Sequence, residues 1–176
     1  MSLNQKQILS AAAAIREAYE TKSPIDALRK SYDMEIDDAY AVQEENTKYW
    51  LKQGRILSGR KIGVTSHAVQ SQLGVNQPDF GMLFSDMAFA DGQEISMSHL
   101  LQPRIEGEIA FYLGKDLDSP SITLAEVLSA IEYAVAAIEV VDSRIAAWDI
   151  QITDTIADNA SSGLYVLGSR PVKPVS

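Results

Sequence analysis

Two apolar, β-prone runs of this chain carry carboxylates where an apolar core face would be expected. Glu106 and Glu108 sit in LQPRIEGEIAFYLG, and Glu139 sits in AAIEVVDSRI. Successive side chains of a strand point to opposite faces, so positions 106 and 108 project together, roughly 7 Å apart along the chain. An unpaired ionised carboxylate in a dry interior is costly and ordinarily neutralises instead. Two on one face, with a third in a similar run, point to a bound divalent cation. Oxygen-only ligation suits the hard ions Mg²⁺, Mn²⁺ or Ca²⁺, at metal–oxygen distances of about 2.0–2.6 Å. The E-x-E spacing alone also fits a half-exposed strand with both glutamates in water. Glu139 weighs against that reading, because AAIEVV is apolar enough to be buried on both faces. A carboxylate pair for glycoside hydrolysis is a further option, but no sugar-stacking aromatics stand nearby.

Composition narrows the partners. The chain has 176 residues, 46% hydrophobic and 22% charged, which suits one globular domain with a sizeable core. Its formal net charge of -9 argues against nucleic acid or an anionic membrane surface. An anionic substrate would need local positive charge, from a metal or a lysine. There are no cysteines, hence no disulfides and no thiolate chemistry. The AAAAI segment is too short for a membrane span, and Lys6, Arg16 and Glu17 around it mark an ordinary helix rather than a signal peptide. A cytoplasmic location is expected.

Along the chain, Ile8, Leu9, Ala12, Ile15 and Tyr19 predict a helix over 4–20, ended by Lys22-Ser23-Pro24. A second helix is predicted from Asp37 to about Gln53, with Ala39, Val42, Asn46, Tyr49 and Trp50 near one face and Gly54 after its end. A short strand follows at Arg60–Val64, then Ser66 as N-cap of a helix reaching Leu73. Gln77-Pro78-Asp79-Phe80-Gly81 reads as a turn. From Glu94 onward the character is β. The expected elements are a strand Ile105–Leu113, a helix opened by the Thr123/Glu126 capping box, and a strand Val135–Val141. A loop-rich stretch Asp154–Ser162 and a strand Leu164–Leu167 follow. The expectation is α+β: helices first, then mixed strands with a helical crossover, in a single domain over 1–176 with a helical part at 1–55 and a β part at 56–176. The closing run Arg170–Ser176 reads as an exposed loop.

Other residues could carry chemistry. Lys61, in GRKIGVTS, is either a surface lysine on an edge strand or an inward cationic clamp and acid/base. Asp79 reads by default as a turn aspartate bonded to backbone N–H groups. His67 and His99 show no ligand spacing to each other or to the glutamates. Asp158–Gly163 has the small polar residues of a substrate-cradling loop. There is no phosphate loop, nucleophile elbow or dinucleotide fingerprint.

The stretches GRKIGVTSHAVQSQLGVNQPDFG, LQPRIEGEIAF, AIEVVDSRI with Trp148 following, and DTIADNASSGLYVLG occur in this order. Together they resemble the 2-keto-4-pentenoate hydratases (2-hydroxypenta-2,4-dienoate hydratases) of the fumarylacetoacetate hydrolase superfamily. The resemblance covers most of the chain after about residue 36. It implies a mixed β-roll, with Glu106, Glu108 and Glu139 ligating Mg²⁺ or Mn²⁺, Lys61 and Asp79 as acid/base machinery, and Ser161 near the substrate. The implied reaction hydrates 2-hydroxypenta-2,4-dienoate to 4-hydroxy-2-oxopentanoate in meta-cleavage degradation of aromatic compounds. It further implies a homo-oligomer able to associate with a downstream aldolase or a related decarboxylase. The competing activities are 4-oxalocrotonate decarboxylation and hydration of a longer 2-oxo-enedioate. Aspartate after proline in LGVNQPDFG resembles the hydratases, and an acid there would handle protons for water addition. Against the family pattern the C-terminal third of the roll is expected to be missing. A truncated, inactive remnant or an interaction partner of a full-length subunit is therefore the non-enzyme alternative.

Overall fold

Helical periodicity at the start of the chain produces two long helices that pack on each other. The structure, a computed structural model, describes residues 2–173. Helix α1 (Gln5–Thr21) opens with a reciprocal cap, in which Asn4 accepts from the Gln7 N–H and Gln7 accepts from the Asn4 N–H. Helix α2 (Ile36–Lys52) opens with Asp38 accepting from the Glu35 N–H. Ile8, Ala11, Ala12 and Ile15 of α1 meet Ala39 and Val42 of α2, and Ile145 and Ile156 complete this core. A second core gathers Trp50, Phe84, Met87, Val140 and Leu164. Tyr19 touches both, with its ring edge-on to Trp50 at 5.3 Å.

The strands form two separate sheets. Strands β1 (Leu57–Gly63) and β2 (Asp79–Phe84) make an antiparallel ribbon joined through α3 (His67–Leu73), whose N-terminus is capped by Ser66. The second sheet contains β3 (Ala88–Phe89), β4 (Arg104–Leu113), β5 (Ile131–Val141) and β6 (Ser162–Leu167), in the order β3-β6-β5-β4. Helix α4 (Leu124–Ala130) lies between β4 and β5 in sequence, and α5 (Ile152–Ala157) precedes β6. The architecture is α+β. No helix among the described residues is long and apolar enough to cross a membrane.

Several local expectations are overturned. Asp79 is not in a turn but is the first residue of β2, paired across from Gly63, because long-range pairing outweighs the local Pro-Asp-Phe-Gly signal. The helix expected between the strands, α4, lies in the connection of β4 to β5, which are direct antiparallel neighbours, whereas β3 and β6, far apart in sequence, pair parallel. Residues 94–103 are irregular rather than β, with only a short 3₁₀ turn at Met97–His99. The loop expected at 154–162 begins inside α5, and β5 begins at Ile131, immediately after α4. β4, the end strand of its sheet, is exposed along almost its whole length. β5 is not buried on both faces either, as Ile138 is 44% exposed. In the closing run, Val172 exchanges two backbone hydrogen bonds with Ala134 of β5, both 2.8 Å, so that residue is paired rather than looped. Residues 174–176 of that run lie outside the described residues.

One buried ion pair ties the α5–β6 connection to the end of β5. Arg144 and Asp158 are both fully buried, and the Arg144 Nε and backbone N–H both donate to the Asp158 carboxylate. The two Arg144 terminal nitrogens donate to the carbonyls of Ser162 at 2.9 Å and Asp158 at 2.7 Å, while the guanidinium lies 4.2 Å over the Tyr19 ring. Burial pushes the Asp158 carboxyl above its usual range, opposed by Arg144. Each of the three guanidinium nitrogens thus has an acceptor, the kind of pairing under which buried charges are tolerated. Asp158→Ala would strand the guanidinium. Its expected cost is about 3–5 kcal/mol in denaturant unfolding, and a loss below about 1 kcal/mol would show that the pair does not hold this connection.

Candidate metal centre and active site

The register of β4 on β5 builds the carboxylate cluster. Glu106 lies directly across from Glu139, and Glu108 lies across from Ala137, on the same face. Direct and diagonal cross-strand neighbours are about 5 and 7 Å apart, within reach of long side chains. A carboxylate oxygen from each of Glu106, Glu108 and Glu139 lies within 4.8 Å of the other two. Glu106 and Glu108 are exposed, whereas Glu139 is 7% exposed. Like charges directly opposite on a sheet are destabilising unless something offsets them. Burial pushes the Glu139 carboxyl up to about 7; Lys61 opposes the shift, and Glu106 and Glu108 add to it.

The β1–β2 ribbon supplies the facing groups. Lys61 pairs with Gly81 and Gly63 with Asp79, so Lys61 and Asp79 are diagonal neighbours on one face. Lys61 is no surface lysine, because its side chain is only 10% exposed. Its ammonium donates to the Ala160 carbonyl at 2.9 Å and lies 3.3 Å from Glu139 Oε1. The second contact is an ion pair whose geometry falls short of a hydrogen bond, leaving Glu139 Oε1 buried without a hydrogen-bond partner. Asp79 is 1% exposed, and neither carboxylate oxygen has a hydrogen-bond partner. Burial raises its pKa against the pull of Lys61. The Ser161 hydroxyl is likewise buried and unpartnered.

These orphaned polar atoms belong together. Most buried polar groups are hydrogen-bonded, so Asp79, Glu139 Oε1 and the Ser161 hydroxyl without hydrogen-bond partners, around Lys61, mark a place built for a ligand. Three hard oxygen donors converging from one sheet face fit a divalent cation while leaving positions open to a bidentate ligand. His67 heads α3, and His99 lies in the 3₁₀ turn with its ring 6.2 Å from Phe89; neither belongs to the cluster. A surface cleft of about 320 Å³ beside α2, lined by Tyr40, Gln43 and Met82, contains none of the site residues.

Known proteins are similar to this chain over most of its length. It is 51% identical over 173 residues to the 2-keto-4-pentenoate hydratase of Paraburkholderia xenovorans strain LB400, covering 98% of this chain and 64% of that protein. It is 49% identical over 156 residues to the 2-hydroxypent-2,4-dienoate hydratase of Pseudomonas putida, covering 88% of this chain and 69% of that protein. This chain belongs to the 2-keto-4-pentenoate (2-hydroxypent-2,4-dienoate) hydratase family. Among solved structures, the 4-oxalocrotonate decarboxylase of Pseudomonas putida G7, complexed with magnesium and adipate, matches with a TM-score of 0.93 at 32% identity, over 98% of this chain and 66% of that one. No family model matches. The chain spans 64% of the first of these hydratases and 52% of a further hydratase relative from Pseudomonas putida F1.

Three features of this hydratase-family site were not visible in its sequence. Gly63 is one, because a Cβ there would lie 2.3 Å from Asp79 Oδ1 and 3.1 Å from Lys61 Nζ. The second is the Ala160 carbonyl, a backbone group that holds Lys61. The third is the conformation that delivers it: Asn159, Ala160 and Ser161 are consecutively left-handed, with φ of 55, 51 and 52°. Non-glycine residues adopt this conformation singly and at a cost, so three in succession require support from surrounding contacts. A glycine such as Gly63 does signal close backbone approach in a strand, but its neighbour cannot be named from sequence.

Proposed function

We propose that the protein carrying this chain hydrates 2-hydroxypenta-2,4-dienoate to 4-hydroxy-2-oxopentanoate, using a divalent metal, Mg²⁺ or Mn²⁺, held by Glu106, Glu108 and Glu139. The observation that carries the reading is the convergence of those three carboxylates on one face, opposite Lys61 and Asp79. The hydratase relatives support the reaction class, and the magnesium in the decarboxylase structure supports a divalent ion.

The reaction adds one water. A proton arrives at C5 as the enol hydroxyl gives up its own, leaving a 2-oxo-3-enoate; water then contributes hydroxyl to C4 and a proton to C3. When bound, the cation supplies Lewis-acid polarisation of the 2-oxygen and carboxylate. In our reading Asp79, whose carboxyl is held above its ordinary range by burial, is the proton-exchanging group. Lys61 carries the positive charge that offsets the negative charge developing on the dienol oxygen. The unpartnered Ser161 hydroxyl donates to a substrate oxygen. Against the net charge of -9, Lys61 and the cation give a small anion its local attraction.

The fold would be part of a β-roll of the fumarylacetoacetate hydrolase type, in a cytoplasmic homo-oligomer; light scattering on the purified protein tests the assembly. Loss of the dienol ultraviolet absorbance, followed with Mg²⁺, with Mn²⁺ and after chelation, tests the activity. Metal-dependent loss is the expected result. Metal-independent turnover would overturn it, as would inactivity on this substrate while 4-oxalocrotonate loses CO₂. That decarboxylation is the second reading, favoured by the fold match to the decarboxylase.

A further inference from the structure

We infer that Asn159 is a positioning residue for this site, docking the left-handed loop onto β2 and so setting where the Ala160 carbonyl meets Lys61. The inference rests on the proposed function only for its rate measurement.

Lys61 and Asp79 stand on the β1–β2 ribbon, and the three glutamates stand on the other sheet. The two sheets share no strand, so their relative placement is set by what bridges them. The 158–162 segment is such a bridge. On one side Asn159 Oδ1 accepts from the Met82 N–H at 2.7 Å, and its Nδ2 donates to the Met82 carbonyl at 2.9 Å. One carboxamide thereby satisfies both backbone groups of a β2 residue, as a neighbouring strand would. On the other side the Ser161 carbonyl accepts from the Asp142 N–H at 2.8 Å, while Arg144 holds Asp158 and Ser162. The contact with β2 has no slack, since a Cβ on Gly81 would lie 2.5 Å from the Asn159 carbonyl oxygen.

Asn159 therefore fits its position in two ways. Asparagine tolerates the left-handed conformation, here with φ of 55°, better than most residues. Its carboxamide is the one side-chain group that both donates and accepts in the plane Met82 offers. The next residue in the chain presents the carbonyl that holds Lys61, whose ammonium also lies against Glu139. Undocking Asn159 from β2 loosens the Lys61 ammonium from Ala160 without touching the β4–β5 register that gathers the glutamates.

Asn159→Gly is the decisive variant, because glycine keeps the left-handed conformation and deletes only the docking group. Three readouts follow on the whole protein. The Met82 amide is expected to exchange with deuterium about tenfold faster, and Lys61 to be acetylated about fivefold faster relative to exposed lysines by competitive labelling and mass spectrometry. Mn²⁺ affinity by calorimetry is expected to stay within about twofold, while kcat for hydration falls about 10–100-fold with little change in KM, the effect of a misplaced catalytic group. Unchanged Lys61 labelling despite faster Met82 exchange would overturn the inference. So would a loss of Mn²⁺ affinity in step with kcat, since that marks general loosening. If the unaltered protein does not hydrate the dienoate, the proposed function fails, and the labelling and exchange arms still decide the role of Asn159. If Asn159→Gly does not fold, Asn159→Asp carries the same readouts, retaining the acceptor for the Met82 N–H but turning a carboxylate toward the Met82 carbonyl.

Discussion

Glu139→Gln is expected to abolish Mn²⁺ binding and, in the metal-free state, to make the protein more stable at pH 8 than the unaltered chain. The two effects have one cause. Glu139 is buried, faces Glu106 across the strand pair, and titrates near 7 instead of the ordinary 4.5, with burial as the largest contribution, Lys61 opposing, and Glu106 and Glu108 adding to it. Its folded pKa lies above its unfolded one, so folding favours the protonated form. The resulting stability is fully present below about pH 4.5 and is lost as pH rises through about 7. A displacement of that size corresponds to about 3 kcal/mol. Glutamine has no proton to lose, so the variant escapes this loss but also lacks the anionic ligand. In the unaltered protein Mn²⁺ has to displace the proton, and its affinity should climb with pH up to about 7 and level off above. Calorimetry at pH 6, 7 and 8, with thermal unfolding under chelation, checks both halves. Unchanged Mn²⁺ affinity in the variant would remove Glu139 from the ligand set, and superimposable stability–pH profiles would remove the buried charge as the cause.

Asp79→Asn is expected to lower turnover by about 10²–10⁴-fold, the usual worth of a positioned acid/base, while leaving Mn²⁺ affinity where it was. The substitution is nearly isosteric, which matters because Asp79 is 1% exposed and packed against Gly63. Neither of its oxygens makes a well-formed hydrogen bond, and the backbone N–H groups of Gly63 and Asp79 that lie near them can still face the amide oxygen. The substitution also removes a group whose ionisation burial already disfavours, so stability should hold or rise slightly. Steady-state kinetics beside Mn²⁺ calorimetry separates the roles. Turnover within about tenfold of the unaltered protein would exclude Asp79 as the proton carrier. A parallel fall in Mn²⁺ affinity would place it in the metal's environment instead.

The parts of this architecture with local causes were legible. Ser66, and Thr123 with Glu126, cap helices where the sequence places caps, because capping involves residues only three apart. Both long helices and the strand at 104–113 follow from periodicity. Errors arose where distant contacts overruled local chemistry. The Pro78–Gly81 stretch has turn residues, yet pairing with β1 draws Asp79 into a strand, and burial in that strand raises its pKa. Lys61 suits a surface edge strand as far as its local sequence goes, and only the approach of Ala160 and Glu139 turns it inward.

By itself, the sequence determined that Glu106 and Glu108 share a face, since alternation along a strand is a property of the backbone. It also determined which side chains offered hard oxygen, a cation and a carboxyl. Only the tertiary structure decided that Glu139 would stand opposite Glu106, that Lys61 would reach Glu139, and that a left-handed loop pinned by Asn159 and Arg144 would present the Ala160 carbonyl. The physical reason is range. Strand register and the bridging of two sheets depend on contacts between residues up to about a hundred positions apart (99 for Lys61 and Ala160), whose balance of burial and hydrogen bonding no local pattern encodes.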